Sequence, residues 1–305
     1  MLIVAALGGN ALLRRGEPLT AANQRANVKR AAVALAELIA DGHSLVITHG
    51  NGPQVGLLAL ETAGPNGADL PFDVLGAETQ GMIGYMIEQE LIGMVKDRRF
   101  ATLVTLVKVD ANDRAFRNPT KFIGPAYTAA TAQKIGSERG WQIAPDGEMW
   151  RRLVASPAPK TIVEADIISL LVKEGITVIC TGGGGIPVID GGDGSLQGVE
   201  AVIDKDAASA LLAEQLGADM LLLLTDVDAV YEGFGTPGAR LLKRLDPEQV
   251  DETKFPTGSM RPKIAAATRF ARSGGRRAAI GRLEDAAAIV AATKGTAFSA
   301  KNAQV

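Results

Sequence analysis

The chain has 305 residues, 47% of them hydrophobic and 22% charged, the balance of a soluble globular protein with room for one large α/β domain or two smaller ones. Lys plus Arg number 32 against 34 Asp plus Glu, so no global basic field points to a nucleic-acid partner. The single cysteine, Cys180, excludes an internal disulfide and fits a reducing cytoplasm, and no apolar run approaches membrane-spanning length.

Residues 2–7 are apolar, follow no basic leader and run into Gly8-Gly9-Asn10-Ala11, which reads as a buried strand and not a signal peptide. A glycine pair at a strand exit lets backbone N–H groups approach an anion, although a tight turn needs glycine too, and the pair lacks the G-x-G-x-x-G fingerprint of dinucleotide binding. Residues 27–40 place Val28, Ala31, Ala32, Leu35, Leu38 and Ile39 on one helical face, closed by Asp41-Gly42. A strand at 45–48 exits through His49-Gly50-Asn51-Gly52-Pro53-Gln54-Val55-Gly56 into a helical stretch at 55–61. In an open parallel sheet ligands sit at the carboxyl ends of strands, where such exits gather. His49 could serve as a general base, but a strand-end histidine holding a loop is the reading adopted. His43, in a helix-to-strand turn, is expected to be solvated. Residues 73–96 predict a long helix whose Met-rich stripe packs in the core or against a subunit, and 101–109 predict one more strand.

The stretch 111–160 changes character. Basic, aromatic and Pro residues mix without one clear period, and both tryptophans, Trp141 and Trp150, fall here. It predicts a small subdomain inserted in the α/β chain, acting as a lid over the strand ends. Lys121 stands in the stiff turn Asn118-Pro119-Thr120-Lys121, which could aim it at a site. Basic residues beside aromatics also suit single-stranded nucleic acid, a reading that the overall charge disfavours.

A helix at 162–174 and a strand at 176–181 lead to four successive glycines, 182–185. Their entropic cost makes a mere turn a poor explanation; something must lie close to the main chain. Asp190-Gly191-Gly192-Asp193-Gly194 lacks the ligand spacing of a calcium loop and reads as a hairpin turn. The apolar approach 201–203 then ends at Asp204, a fitting N-cap for a helix that Gly217 stops, and Asp206 suits its positive first turn. Lys205 does not suit it, unless an anion such as phosphate also sits there. A strand at 219–224 exits through Thr225-Asp226-Val227-Asp228-Ala229-Val230-Tyr231. A helix opening at 258–263 carries Pro262 in its first turn and Lys263 beside it, so the lysine anomaly recurs. A strand at 278–280, a helix at 284–291 and a strand at 296–298 close the fold; 300–305 carry no signal.

There is no Walker A motif, no G-x-S-x-G, no H-E-x-x-H and no protein-kinase signature. Glycine exits, two lysines at helix starts and a lysine on an inserted arm instead suit phosphoryl transfer by positioning and charge stabilisation, with no protein nucleophile. Over essentially its whole length, and in order, the chain resembles the carbamate kinases of the amino acid kinase superfamily. The resemblance rests on Gly8-Gly9-Asn10-Ala11, 48–56, Gly81-Met82-Ile83-Gly84-Tyr85, Asn118-Pro119-Thr120-Lys121, 182–188, 198–206, 225–231 and 258–263.

The resemblance implies an open three-layer αβα sandwich with a mostly parallel central sheet, a small protruding subdomain and a homodimer. It implies reversible phosphoryl transfer between ATP, with Mg²⁺, and carbamate, giving ADP and carbamoyl phosphate, run toward ATP synthesis in arginine breakdown. Lys121, Lys205 and Lys263 would neutralise the phosphates, with Asp206 orienting the latter two. Gly8, Gly9, Asn10, Gly50, Asn51 and Gly52 would bind the carbamate and phosphoryl oxygens. Thr225, Asp226, Tyr231, Ser259 and Met260 would line the nucleotide pocket, with Gly182 and Gly183 also on the nucleotide side. No protein-held metal, nucleic acid or membrane is expected. Asn10 stands where many relatives of other specificity carry a lysine, and Phe122 stands where proline is expected after Lys121. The competing readings are a sister kinase of another small carboxylate, which predicts the missing lysine, a nucleotide-binding sensor that has lost catalysis, and a dinucleotide oxidoreductase.

Overall fold

The computed structural model describes residues 1–14, 17–62, 70–256, 260–274 and 276–299, without the side chains of Asn10, Ala11 and Pro125. Its centre is an eight-stranded sheet. From one edge to the other run Arg244–Leu245, Thr296–Phe298, Arg277–Arg282, Met220–Thr225, Leu2–Leu7, Ser44–His49, Ile176–Ile179 and Arg99–Thr102. The six strands from Arg277–Arg282 to Arg99–Thr102 are parallel, and Thr296–Phe298 runs against its neighbour.

Apolar residues fill both faces of the central strands, as a sheet covered by helices on both sides requires. Ile3, Ala5 and Leu7 point into one core with the helices Ala21–Ala40, Phe72–Met94 and Ala286–Val290. Val4 and Ala6 point into the other, with Ala165–Lys173, Lys205–Leu216 and Met260–Arg272. This is the expected αβα sandwich. The chain winds from Leu2–Leu7 to Ser44–His49 on one side and places Met220–Thr225 on the other, so the strand order reverses at the first strand. The crevice at that reversal is where such a fold binds ligands.

Two departures from expectation have a clear physical reason. The first long helix begins at Ala21, not at residue 27, because the Thr20 side chain accepts from the Asn23 N–H and caps six residues, three alanines and three polar, that carry no large apolar side chain. The strand expected at 101–109 is two strands, Arg99–Thr102 and Leu106–Val109, in different sheets. At the break Leu103 N–H still bonds Ile179. The buried Gln80 amide then serves Thr105 on both sides, accepting from its N–H at 3.0 Å and donating to its carbonyl at 3.2 Å. With those groups satisfied the chain can leave the central sheet. Leu106–Val109 joins a second sheet ordered Leu196–Gly198, Ile186–Asp190, Leu106–Val109 and Pro159–Ile162, which contains the expected hairpin.

Within 111–160, Lys121–Tyr127, Met149–Val154 and Gln142–Asp146 form an antiparallel sheet of their own, with the helix Ala129–Arg139 against it. This arm rests on the body through a small apolar cluster in which Ile123 and Val154 meet Val55, Ala59, Phe72 and Leu75. The Arg152 guanidinium lies between the rings of Phe72, at 4.5 Å, and Trp141, at 4.1 Å. Among the described residues no helix is long and apolar enough to cross a membrane.

Candidate active site

Strand ends supply the floor of the site. Gly8 N–H bonds Leu224 and Gly50 N–H bonds Leu7, so both glycines spend their donors on extending the sheet. They let two turns touch: a Cβ on Gly50 would stand 3.1 Å from Gly9 N. Gly9 and Gly52 open helices, where the first N–H groups have no intrahelical partner. Asn51 is buried, and its side-chain N–H donates to Thr79 Oγ1 at 2.8 Å. The backbone of Asn10 belongs to the short helix Gly9–Leu12; its side chain lies outside the described atoms, as does all of Ser259.

The glycine run 182–185 has a physical reason that sequence did not reveal: what lies against its main chain is the protein itself. A Cβ on Gly182 would meet the His49 ring at 2.4 Å, one on Gly183 the Asn51 amide at 2.2 Å, and one on Gly184 the Ile203 carbonyl at 2.5 Å. Gly183 thus clamps Asn51 and lines the cleft, while Gly182 lines neither cavity described below. His49 is buried, its Nδ1 donating to the Gly50 carbonyl at 3.1 Å. Burial pushes its pKa down to about 4, the Gly50 carbonyl opposing and Lys205 assisting, so it is neutral at pH 7. It holds a loop, as expected.

The walls come from two helix starts and the arm. Asp204 caps Lys205–Leu216: one carboxylate oxygen accepts from the N–H groups of Asp206 and Ala207 at 3.0 and 3.1 Å. Its other oxygen accepts from the Lys121 ammonium at 2.6 Å. Asp206 lies between the other two lysines, with Lys205 Nζ at 2.5 Å from one oxygen and Lys263 Nζ at 3.0 Å from the other. Burial works against the Asp206 anion, but the two ammoniums outweigh it and hold the carboxyl far below the usual range. For Lys263, burial pulls down and Asp206 overrides it, leaving the pKa above normal. Lys205 ends below normal, because burial and the charge of Lys263 together exceed the help from Asp206.

These groups line one cleft of about 220 Å³ with Gly8, Gly9, Gly50, Asn51, Gly52, Thr225 and Asp226. Thr225, Asp226 and Lys263 are shared with a narrower groove of about 90 Å³, which continues along Val227, Ala229, Tyr231, Phe234, Pro256 and Met260. The Tyr231 hydroxyl donates to the Asp228 carboxylate at 3.1 Å. So the structure brings together all three lysines and Asp206, the first two glycine turns and the nucleotide candidates Thr225, Asp226, Tyr231 and Met260. Sequence reasoning missed Phe234, whose signal was an aromatic between two glycines in a turn, and the second duty of Asp204. A larger cavity, of about 380 Å³, lies beside Thr296–Phe298. Its charged lining is Asp228, Lys243, Arg277, Arg282, Asp285 and Lys294, with Lys294 paired with Asp285 at 2.5 Å.

Arranged so, the cleft can hold a compact polyanion: three ammonium groups stand at one end of a groove, and the described residues that line cleft and groove include no serine, cysteine or histidine. The amino acid kinase family model matches residues 1–282. The chain is 52% identical over 303 residues to the carbamate kinase of Rhizobium meliloti strain 1021, covering 98% of this chain and 93% of that one. It is 49% identical over 298 residues to the carbamate kinase of Escherichia coli K12, covering 97% and 99%. The solved structure of carbamate kinase from Giardia lamblia bound to AMP-PNP superposes with a TM-score of 0.89 at 36% identity, covering 98% of both chains.

Proposed function

The chain belongs to the amino acid kinase family, among its carbamate kinases, and from that membership we propose that it moves a phosphoryl group reversibly between ATP and carbamate, giving ADP and carbamoyl phosphate. The observation that carries this reading is the convergence of Lys121, Lys205 and Lys263 on one cleft at the mouth of the groove. A carbamate oxygen forms the new bond to the terminal phosphorus while the bond from that phosphorus to the ADP oxygen breaks. Carbamate is already an anion with a nucleophilic oxygen, so no general base is needed, and a neutral His49 is no obstacle. Lys205 and Lys263, steadied by Asp206, neutralise the charge on the migrating group, and Lys121 reaches it from the arm, which acts as a lid. Gly9, Asn51 and Gly52 would bind the acceptor's oxygens, with Gly8 and Gly50 shaping the turns that hold them, and Asn10 is assigned to the same role from the resemblance. Tyr231, Phe234 and Met260 flank the base.

Charge arithmetic supports a divalent ion travelling with the nucleotide. The three cleft lysines are matched by three carboxylates, Asp204, Asp206 and Asp226, so a polyphosphate plus carbamate would arrive at a site with no net positive charge. Mg²⁺ on the phosphates offsets that repulsion. Among the described residues no group of three or more His, Cys, Asp or Glu could cage a metal.

Carbamoyl phosphate is a mixed anhydride, a better phosphoryl donor than ATP, so the direction we assign is ATP synthesis, in cytoplasmic arginine breakdown. A homodimer suits the free edge strand Arg99–Thr102. Helices flanking it expose Tyr85, Ile92, Ile167 and Leu170, and Val104 follows it, each about half exposed. Light scattering giving one chain's mass would remove that part. The central test is ATP formation from ADP and carbamoyl phosphate, with acetyl phosphate and acetylglutamyl phosphate as alternative donors. Preference for either alternative would overturn the assignment.

A further inference from the structure

A lysine on a partly exposed arm, held by one ion pair, does not fix its own reach. What fixes it lies three residues along the strand. Gly124 stands at φ +68°, and one turn into the helix Gly52–Thr62 the Gly56 backbone lies directly against it. A Cβ built on Gly56 would be 2.1 Å from Gly124 Cα and 2.4 Å from Gly124 N. Neither is the end of a flexible side chain that could swing aside, so a side chain at 56 has to lift the strand itself. Gly124 is barred from other residues separately, by its left-handed φ. A glycine required by space at 56 and one required by dihedral at 124 bring the two backbones into direct contact.

This contact joins the two halves of the site. Upstream of Gly56 the helix begins at Gly52, beside Asn51 in the cleft floor. Upstream of Gly124, Ile123 is buried with Val55 and Ala59, Phe122 lines the cleft, and Lys121 reaches Asp204. From Lys121 to Ile123 the strand pairs in regular register with Val154, Leu153 and Arg152, and the irregularity comes only after Ile123. The segment between contact and lysine is therefore a stiff ladder that transmits a displacement.

We propose that Gly56 and Gly124 are the seat of the arm, positioning residues that set how far the Lys121 ammonium reaches into the cleft and affect the rate through that lysine. The inference rests on the reading of Lys121 as a group that meets the migrating phosphoryl. A mere spacer in the interface would behave differently in a double-mutant cycle.

The test uses the full chain as Gly56→Ala, Lys121→Ala and the double variant. Turnover is read as ATP formed from ADP and carbamoyl phosphate, and ADP affinity by calorimetry. The expected result is a kcat at least about tenfold lower in G56A with ADP affinity within about twofold of wild type, and a double variant no slower than K121A alone. Wild-type kcat in G56A, or a double variant slowed by the same factor that G56A imposes on the wild type, overturns the proposal. Should G56A not fold, Gly124→Ala carries the test by the same two criteria, since its Cβ would come no closer than 3.6 Å to Gly56 and only the dihedral strain acts. Wild-type turnover in K121A would remove the proposal together with the reading beneath it, a result distinct from a slow K121A to which G56A adds its full factor.

Discussion

The cleft holds its cations in two ways. Lys263 is buried and Lys205 nearly so, with side chains 9% and 11% exposed, and they share one carboxylate, Asp206, that is itself 6% exposed. Lys121 is 36% exposed and meets Asp204, 24% exposed, from a separate small sheet. The first pair is set before any ligand arrives, on two helices packed over the central sheet. The second is delivered, and its aspartate is already engaged in capping a helix. A buried triad cannot lose a member cheaply, because the remaining charges stay desolvated. A half-exposed pair can exchange its carboxylate for a phosphate oxygen, since water screens what is left behind. On the proposed reading the buried half supplies a fixed field, and the arm supplies a cation that can exchange its carboxylate partner for a phosphate.

The largest expected effect tests the fixed half. Asp206→Asn leaves two ammoniums buried without their counter-charge and should lower unfolding free energy by about 3–5 kcal/mol. Lys121→Ala, in the same urea titration, should cost under about 1 kcal/mol. Equal midpoints for the two variants would break the comparison.

Next comes pH. His49 has a pKa of about 4 in the fold against 6.5 unfolded. Between those values the unfolded chain binds the extra proton and the folded one does not, so stability is complete above 6.5 and falls as pH drops toward 4. The loss attributable to His49 approaches about 3 kcal/mol at the acid end. Urea unfolding of wild type and His49→Gln at pH 7, 5.5 and 4 isolates it, since titrating carboxylates are common to both. A wild-type-minus-variant difference that stays constant with pH would contradict a desolvated imidazole.

The fixed half was also the more legible one. Asp204 announces a cap, Gly217 a stop, and Lys205 is conspicuous because a cation beside a positive helix end needs an anion. Those are local rules, and the helix Lys205–Leu216 obeys them. What stayed hidden is non-local. The split at Leu103–Thr105 depends on Gln80, 25 residues away, whose amide serves Thr105 where a strand would otherwise continue. The glycines 182–185 advertised a close approach without saying to what, and the answers, His49, Asn51 and Ile203, come from two other segments. The salt bridge from Lys121 to Asp204 spans 83 positions, so no spacing rule reaches it.

On the arm's side the expected effect is kinetic. Lys121→Ala should lower kcat at least about tenfold, roughly 1.4 kcal/mol of barrier, while barely moving the urea midpoint. Lys205→Ala and Lys263→Ala should lower both, because each leaves Asp206 short of a partner. A K205A enzyme as stable as wild type would mean that the triad is not a unit. Steady-state rates paired with unfolding curves on the three variants would decide this.

The smallest effect belongs to a residue outside both halves. Phe234 is 63% exposed at the mouth of the narrow groove, its ring 5.8 Å from that of Tyr231. Tyr231 is held by the Asp228 carboxylate, whereas the Phe234 ring has no polar group by which to be held, so a planar base entering the groove meets one fixed ring and one adjustable ring. An aromatic contact of this kind contributes about 1 kcal/mol beyond area. Phe234→Ala should therefore weaken ADP binding about fivefold, measured by calorimetry, with kcat at saturating nucleotide unchanged. Phe234 does not line the phosphate cleft, and binding shared equally by ground and transition states leaves kcat alone. A lowered kcat in F234A would mean that the groove and the lysine cleft act as one unit, and the separation between binding surface and charge assembly would have to be given up. Unchanged ADP affinity would instead mean that the base lies elsewhere.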